Sequence, residues 1–309
     1  MIFQILFLIF GEDFTVNKII PQYLTIIMII METIYLNGQF QKYKDAFIHI
    51  EDRGMEFADG VYEVILYKDN KLIDGENHIK RLFRSLNELN IKIDLSTQEI
   101  QKIIIELFIK NNQENGAVYI QITRGFSKRT QIIEKNLQPT IFAKINPIQN
   151  NISKLPKAIS AITTEDIRWK RCDIKSIALI AGSMAKQKAI DLGFDDAIFI
   201  KDSMVMEASF ANIFIVDQDN DLVTRFTDNN ILGGITRQRI INLAKKNDIR
   251  VVQRSISYSE LLNAKEVFVT SSTLLVRPVN KVDERIISDG EIGKITKKLH
   301  KLYQIFIKD

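Results

Sequence analysis

Apolar and polar positions change period several times along the chain, and each change marks an element. From residue 60, GVYEVILYKDN alternates and then turns almost continuously apolar, which predicts a strand passing from half-buried to buried. In ENHIKRLFRSLNEL the residues Ile79, Leu82, Phe83, Leu86 and Leu89 recur at helical spacing. STQEIQKIIIELFIK opens with Ser96 and Glu99 in capping-box register, ahead of Ile100, Ile103, Ile104, Leu107 and Phe108. Residues 117–125 and 139–145 read as strands joined by the polar stretch FSKRTQIIEKNLQ.

Pro, Asn and Ser then collect in NPIQNNISKLPK, which predicts a connection between two units. On this reading a first domain covers 31–147, a linker 148–157 and a second domain 158–309. In the second, GSMAKQKAIDLGF predicts a helix closed by Gly193, DAIFIKDS a strand, and NIFIVDQDNDLVT a hairpin turning near Asp219 and Asn220. GGITRQRIINLAKKN predicts a glycine-led helix opened by Thr236, and EVFVTSST a strand ending in hydroxyls. The tail IGKITKKLHKLYQIF is amphipathic, with Ile292, Ile295, Leu299, Leu302 and Phe306 on one side. Interleaved strands and helices without a repeat predict an α/β (α+β) enzyme of two domains, its mixed sheets flanked by helices.

Ahead of Met31, GEDFTVNKIIPQY separates the apolar runs MIFQILFLIF and LTIIMIIM. Neither run reaches the ~18 residues of a spanning helix, and the basic flank and cleavage site of a signal peptide are missing. A membrane-associating extension, a poorly packed tail and a start codon read too early all remain open. The last is preferred, with METIYLNG opening the domain and 1–30 an extension.

Composition narrows the class. Hydrophobic residues at 46% and charged residues at 26% fit a soluble globular chain rather than a membrane protein. The net charge of +4 comes from 42 basic and 38 acidic residues scattered along the chain, not from the clustered patch of a nucleic-acid binder. One cysteine precludes an internal disulfide and fits the reducing cytoplasm. His49, His78 and His300 have no neighbouring cysteine, so no metal site is expected.

Five places could carry chemistry. Lys175, where DIRWKRCDIK turns into the apolar SIALI, either snorkels into water or is a partly buried amine able to attack an aldehyde. Cys172 lacks a nearby histidine and reads as a buried structural residue, as does Trp169. Glu207, between Met206 and Ala208, is either a cap or an anion held against a protonated ring nitrogen. Gly233 and Gly234 lead a helix whose free amides and dipole favour a phosphate, or they form an ordinary loop. The hydroxyls of TSST at 270–273 would suit a phosphate cup, and Arg81 could add a bidentate cation to it or lie on the surface.

Taken in order, EDRGMEFADGVYEVI, HIKRL, YIQITRG, RWKRCDIKSIALI with AKQKA, EASFANIFIV, GGITRQ and VTSST resemble the class IV aminotransferases. These are the fold-type-IV pyridoxal 5′-phosphate enzymes, and the likeness runs over about residues 32–306. It implies that Lys175 bonds the cofactor and shuttles the proton, and that Glu207 pairs with the pyridine nitrogen. It also implies that Arg81, Ile235, Thr236, Ser272 and Thr273 hold the phosphate. Tyr62 matches an active-site tyrosine. Arg129 matches the arginine of an Arg-x-His motif that grips the substrate α-carboxylate, supplied by the neighbouring subunit of a homodimer.

The resemblance leans toward the branch acting on D-amino acids, with D-alanine and 2-oxoglutarate giving pyruvate and D-glutamate. L-branched-chain aminotransferases, aminodeoxychorismate lyases and a non-catalytic binding relative stay open. Two departures fall on the substrate side. Gln131 stands where the motif has His, which removes a possible cation, and EASFAN replaces EGSSSN, which puts Phe210 and Ala211 in place of hydroxyls.

Overall fold

The computed structural model describes residues 32–146, 148 and 154–308. The extension predicted for 1–30 and residues 149–153 of the predicted linker lie outside these.

Six strands form the first sheet: β1 (Thr33–Leu36), β2 (Gln39–Lys42), β3 (Gly60–Lys68), β4 (Lys71–Leu72), β5 (Gly116–Thr123) and β6 (Thr140–Asn146). Their order is β2-β1-β6-β5-β3-β4, antiparallel throughout. A short helix α1 (Arg53–Phe57) precedes β3, and α2 (Gly75–Glu88) and α3 (Thr97–Lys110) follow β4. Ile79, Leu82 and Leu86 of α2, with Ile100, Ile104 and Phe108 of α3, share a core with Val61, Ile65 and Val118. Each such side chain contributes roughly 1.5–3 kcal/mol on burial. The capping box forms as the sequence predicts, Ser96 Oγ accepting from the Glu99 amide at 3.2 Å.

The second sheet contains β7 (Ile159–Glu165), β8 (Asp196–Lys201), β9 (Met204–Ala208), β10 (Asn212–Val216), β11 (Leu222–Thr224), β12 (Val251–Gln253), β13 (Glu266–Ser271) and β14 (Leu275–Val282). Its order is β12-β11-β10-β13-β14-β7-β8-β9, with β15 (Arg285–Ile286) on β14. The β11–β12, β14–β7 and β7–β8 pairs are parallel, so this sheet is mixed. Helix α4 (Ile180–Asp191) runs between β7 and β8 and ends ahead of Gly193, whose φ is +80°. Helices α5 (Ile235–Lys246) and α7 (Lys294–Lys308) pack on β10, β13 and β14 through Ile240, Leu299, Tyr303, Phe214 and Phe268. The five-residue α6 (Tyr258–Leu262) precedes β13. Among the described residues no helix is long and apolar enough to cross a membrane.

Three details differ from the expectations. Helix α5 opens at Ile235 with Gly234 as its cap, one residue before Thr236, and no side chain caps it. The fully buried residues of α7 are Thr296, Leu299, His300, Tyr303 and Ile307, while Ile295, Leu302 and Phe306 of the predicted stripe pack partly buried at the edge of the same core. Glu266 accepts from the Thr296 amide and hydroxyl, both at 2.7 Å, which lets a polar residue turn inward. Strands β1, β2, β4, β7, β9, β12, β14 and β15 have no counterpart among the predicted elements.

The two sheets are tied by the segment between β7 and α4. Its Lys175 carbonyl accepts from the Tyr62 amide at 3.0 Å, the Ile177 amide donates to the Gly60 carbonyl at 3.1 Å, and Ser176 bridges Val61. The segment thus lies along β3 like an extra strand. Gly60 allows it: a Cβ there would sit 2.8 Å from the Ile122 carbonyl oxygen and 3.1 Å from Ile177 Cδ1.

Candidate active site

A cavity of about 560 Å³ opens between β3 and α2 on one side and the ends of β9, β13 and α5 on the other. That volume suits a small-molecule ligand. Lys175 enters it from the tying segment, its amide also held by Ser85 Oγ of α2 at 3.2 Å. Its Nζ stands 4.1 Å from the centroid of the Tyr62 ring, a cation–π contact. The amine is therefore anchored at its root and faces the cavity at its tip.

Glu207, on β9, is 6% exposed and faces the same cavity. It is a strand residue rather than a cap, and the need for partners raised by its burial is met fully. Arg168 Nη1 and the Leu232 amide donate to Oε1, and Asn212 Nδ2 at 3.0 Å and the Leu232 amide at 3.2 Å donate to Oε2. Burial still outweighs these, and pushes the carboxyl up to about 7 against the pull of Arg168. A further cation beside it would favour the ionised form.

A third group of donors gathers at the start of α5. The uncapped helix presents its first amides and dipole, and the approach of Asn212 explains the glycine before it: a Cβ on Gly234 would lie 2.0 Å from Asn212 Oδ1. Beside it the β13–β14 turn brings Ser272 and Thr273, closing through Leu275 at φ +58°. Thr270 Oγ1 is buried at the cavity wall with no hydrogen-bond partner. Arg81 reaches in from α2, its side chain 10% exposed, and donates to the Gly233 carbonyl at 2.9 Å. Free amides, hydroxyls and one guanidinium make an anion cup. An open amine, a buried acid and this cup fit a ligand carrying an aldehyde, a basic ring nitrogen and a phosphate, which is the description of pyridoxal phosphate.

Comparison with known proteins agrees. The family model for amino-transferase class IV matches residues 60–282. The chain is a class IV aminotransferase. It is 36% identical over 271 residues to a D-alanine aminotransferase of Bacillus licheniformis, covering 88% of this chain and 95% of that protein. A D-alanine aminotransferase of Staphylococcus epidermidis is 33% identical over 279 residues, covering 90% and 99%. Among solved structures, the Escherichia coli branched-chain amino acid aminotransferase superposes with a TM-score of 0.83 at 21% identity, covering 89% of this chain and 95% of that one. The branched-chain amino acid aminotransferase of Thermobaculum terrenum, solved in its PLP form, gives 0.80 at 20% identity, covering 91% and 95%. At those identities the structural likeness speaks for the fold.

Within this aminotransferase, Tyr62, Arg81, Lys175, Glu207, Ile235, Thr236, Ser272 and Thr273 all line the one cavity. Arg129 and Gln131 do not. Arg129 is 59% exposed, paired to Glu56 at 3.3 Å and stacked over Phe57 at 5.2 Å, and Gln131 is exposed on the same loop. Phe210 lies at the cavity wall against Gly182, where an added Cβ would come within 3.1 Å of its ring. Cys172 is buried and outside any disulfide, and burial pushes its thiol up to about 11, in keeping with a structural residue. Trp169 corrects the expectation of a structural role: it is 44% exposed and lines the cavity.

Four residues escape the sequence reading. Arg168 and Asn212 hold Glu207, and Glu63 and His78 stand behind Arg81. A signal exists for Glu63, the one carboxylate in the apolar run VYEVIL. Another exists for His78, one helical turn before Arg81.

Proposed function

We propose that this class IV aminotransferase transfers the amino group of D-alanine to 2-oxoglutarate, giving pyruvate and D-glutamate, with pyridoxal 5′-phosphate held in the cavity. The observation that carries the reading is 33–37% identity to D-alanine aminotransferases over nearly the whole chain, together with Lys175, Glu207 and the anion cup facing one space. When bound, pyridoxal phosphate supplies an aldehyde carbon that carries the amino group and a conjugated ring that draws off the electron pair left at the substrate α-carbon.

The chain's own residues do the rest. Arg81, the Ile235 and Thr236 amides and the hydroxyls of Ser272 and Thr273 hold the phosphate. Glu207 would accept a hydrogen bond from the protonated ring nitrogen, a cation that favours its ionised form against burial. Lys175 Nζ would take the α-proton of the amino acid and deliver it to the carbon that keeps the amino group, steered by the Tyr62 ring.

Arg129, with Gln131 beside it, binds the substrate α-carboxylate in the cavity of a second copy, so the working unit is a homodimer. Its exposure supports this, as do the exposed apolar side chains of Phe126 and Ile132 in its own segment and of Met55 beside its partner Glu56. Two domains, 31–147 and 158–309, meet at the cavity across the linker 148–157. A chain with a single cysteine fits a cytoplasmic protein.

A panel of D- and L-amino donors with 2-oxoglutarate tests the proposal. D-alanine should be turned over far faster than L-alanine or L-leucine, and Lys175→Ala should abolish turnover. Preference for L-leucine would replace the substrate assignment with that of a branched-chain enzyme, and no turnover of any donor would refute transamination.

A further inference from the structure

Arg81 does not meet the cup alone. Behind it Glu63, fully buried on β3, accepts from Arg81 Nε at 2.7 Å and Nη2 at 2.9 Å, a fork that fixes the guanidinium plane. The second oxygen of Glu63 also meets His78 Nδ1 at 2.8 Å, and His78 is itself 2% exposed. Its other ring nitrogen, Nε2, lies 3.5 Å from Ser272 Oγ, across in the second half of the chain. A chain of contacts therefore runs Arg81–Glu63–His78–Ser272, with two phosphate-binding candidates at its ends.

A carboxylate beside the arginine meant for a phosphate is a puzzle on charge alone. It cancels the cation and weakens the attraction for an anion. What it supplies instead is geometry: a buried guanidinium with two donors fixed has few other orientations, and its third nitrogen donates to the Gly233 carbonyl at 2.9 Å. The remaining N–H bonds of Nη1 and Nη2 then point in fixed directions. Against Glu63, Nδ1 of His78 is the donor, which leaves Nε2 as an acceptor for the Ser272 hydroxyl.

We propose that Glu63 and His78 are positioning residues for the cofactor phosphate, Glu63 by locking the Arg81 guanidinium and His78 by orienting the Ser272 hydroxyl. This rests on the pyridoxal-phosphate reading above. Neither residue lines the cavity, so both act through their partners. The groups facing His78 are Glu63 from β3, Arg81 on its own helix, Lys175 from the tying segment and Ser272 from the β13–β14 turn. Burial holds the imidazole below its ordinary value despite Glu63, so the neutral form is the one that orients the hydroxyl.

The test compares pyridoxal phosphate with pyridoxal, which lacks only the phosphate. Binding to the apoenzyme is read from quenching of Trp169, the sole tryptophan and a wall of the cavity. Wild type should favour the phosphorylated form. Glu63→Gln should lose about tenfold of that preference, one charge-assisted contact being worth that much, with pyridoxal affinity unchanged. His78→Asn keeps a donor where Nδ1 sits and removes Nε2. It should lose about threefold, consistent with a neutral hydrogen bond, and it stands in if Glu63→Gln does not fold. A preference for phosphate that both variants keep, or an equal loss of affinity for both ligands, overturns the positioning role alone. A wild type that binds neither ligand, or both equally, overturns the cofactor reading and this inference with it.

Discussion

Two buried carboxylates flank the Leu232–Gly233 segment, and they behave in opposite ways. Glu207 takes its amide bond from Leu232, and Glu63 reaches Gly233 through Arg81. Both are desolvated, which alone would push each toward the neutral acid. At Glu63 that push is overcome: the permanent cation of Arg81 and the His78 contact hold its carboxyl well below the usual range. At Glu207 it wins, because Arg168 is shared with Asp166 and the remaining donors are neutral amides. Burial therefore does not set ionisation in this site; the share of a guanidinium does. Glu63, behind the anion cup, is ionised in advance, and Glu207, at the cavity wall, is left near its titration point.

Breaking each pair should expose the difference most. Arg81→Met strands an ionised, fully buried Glu63 and should cost about 3–5 kcal/mol of unfolding free energy. Arg168→Met should cost less through Glu207, about 1–2 kcal/mol near pH 6, since Glu207 can take up a proton instead of remaining a bare anion, and Asp166→Asn measured beside it subtracts the loss at the other carboxylate of Arg168. Chemical denaturation of the apoenzymes checks this, and equal losses would erase the distinction.

The pH dependence comes next in size. The Glu207 carboxyl is raised from 4.5 to about 7 in the folded state, so its contribution to stability falls as pH rises from about 4.5 to 7. Glu63 is lowered, so its contribution is in place above about 4.5 and is lost as pH falls below that. Glu207→Gln should flatten the first slope and Glu63→Gln the second, in stability profiles of the apoenzyme.

The smallest effect sharpens the comparison from the neutral side. Thr270 Oγ1 is buried without a partner. Thr270→Val should stabilise the apoenzyme by up to about 1 kcal/mol, since an unmet hydroxyl is replaced by a methyl. The same variant should weaken binding of inorganic phosphate, measured by calorimetry.

What is legible along the chain follows period and punctuation. Helices α2, α3 and α5 can be foreseen because their apolar spacing is regular, and α3 and α5 also start at Ser96 and at paired glycines. Strand β9 cannot, because its five residues, MVMEA, hold too short a pattern, and without that strand Glu207 reads equally well as a cap. Strand β14 is hidden because Arg277, Pro278, Asn280 and Lys281 interrupt its apolar run. Lys175, Glu207 and the residues of the anion cup can be named as candidates because their types and settings allow few chemical roles. Their supports cannot: Arg168 sits in a charged run with Lys170 and Arg171, and nothing along the chain says which of the three folds back onto Glu207. The exposure of Trp169 likewise depends on how a loop crosses another segment, which no local pattern encodes.

The tying segment has a consequence for how such an enzyme can change over time. Lys175 owes its place to Gly60 and Ser85, residues of the first half that touch the backbone of its segment and need never touch a ligand. Grafting the second half onto a foreign first half would carry over Glu207 and most of the anion cup, yet leave the amine without an edge to lie along. Substitutions in the first half are thus a heritable dial on the reach of the amine, set apart from the residues that choose the substrate.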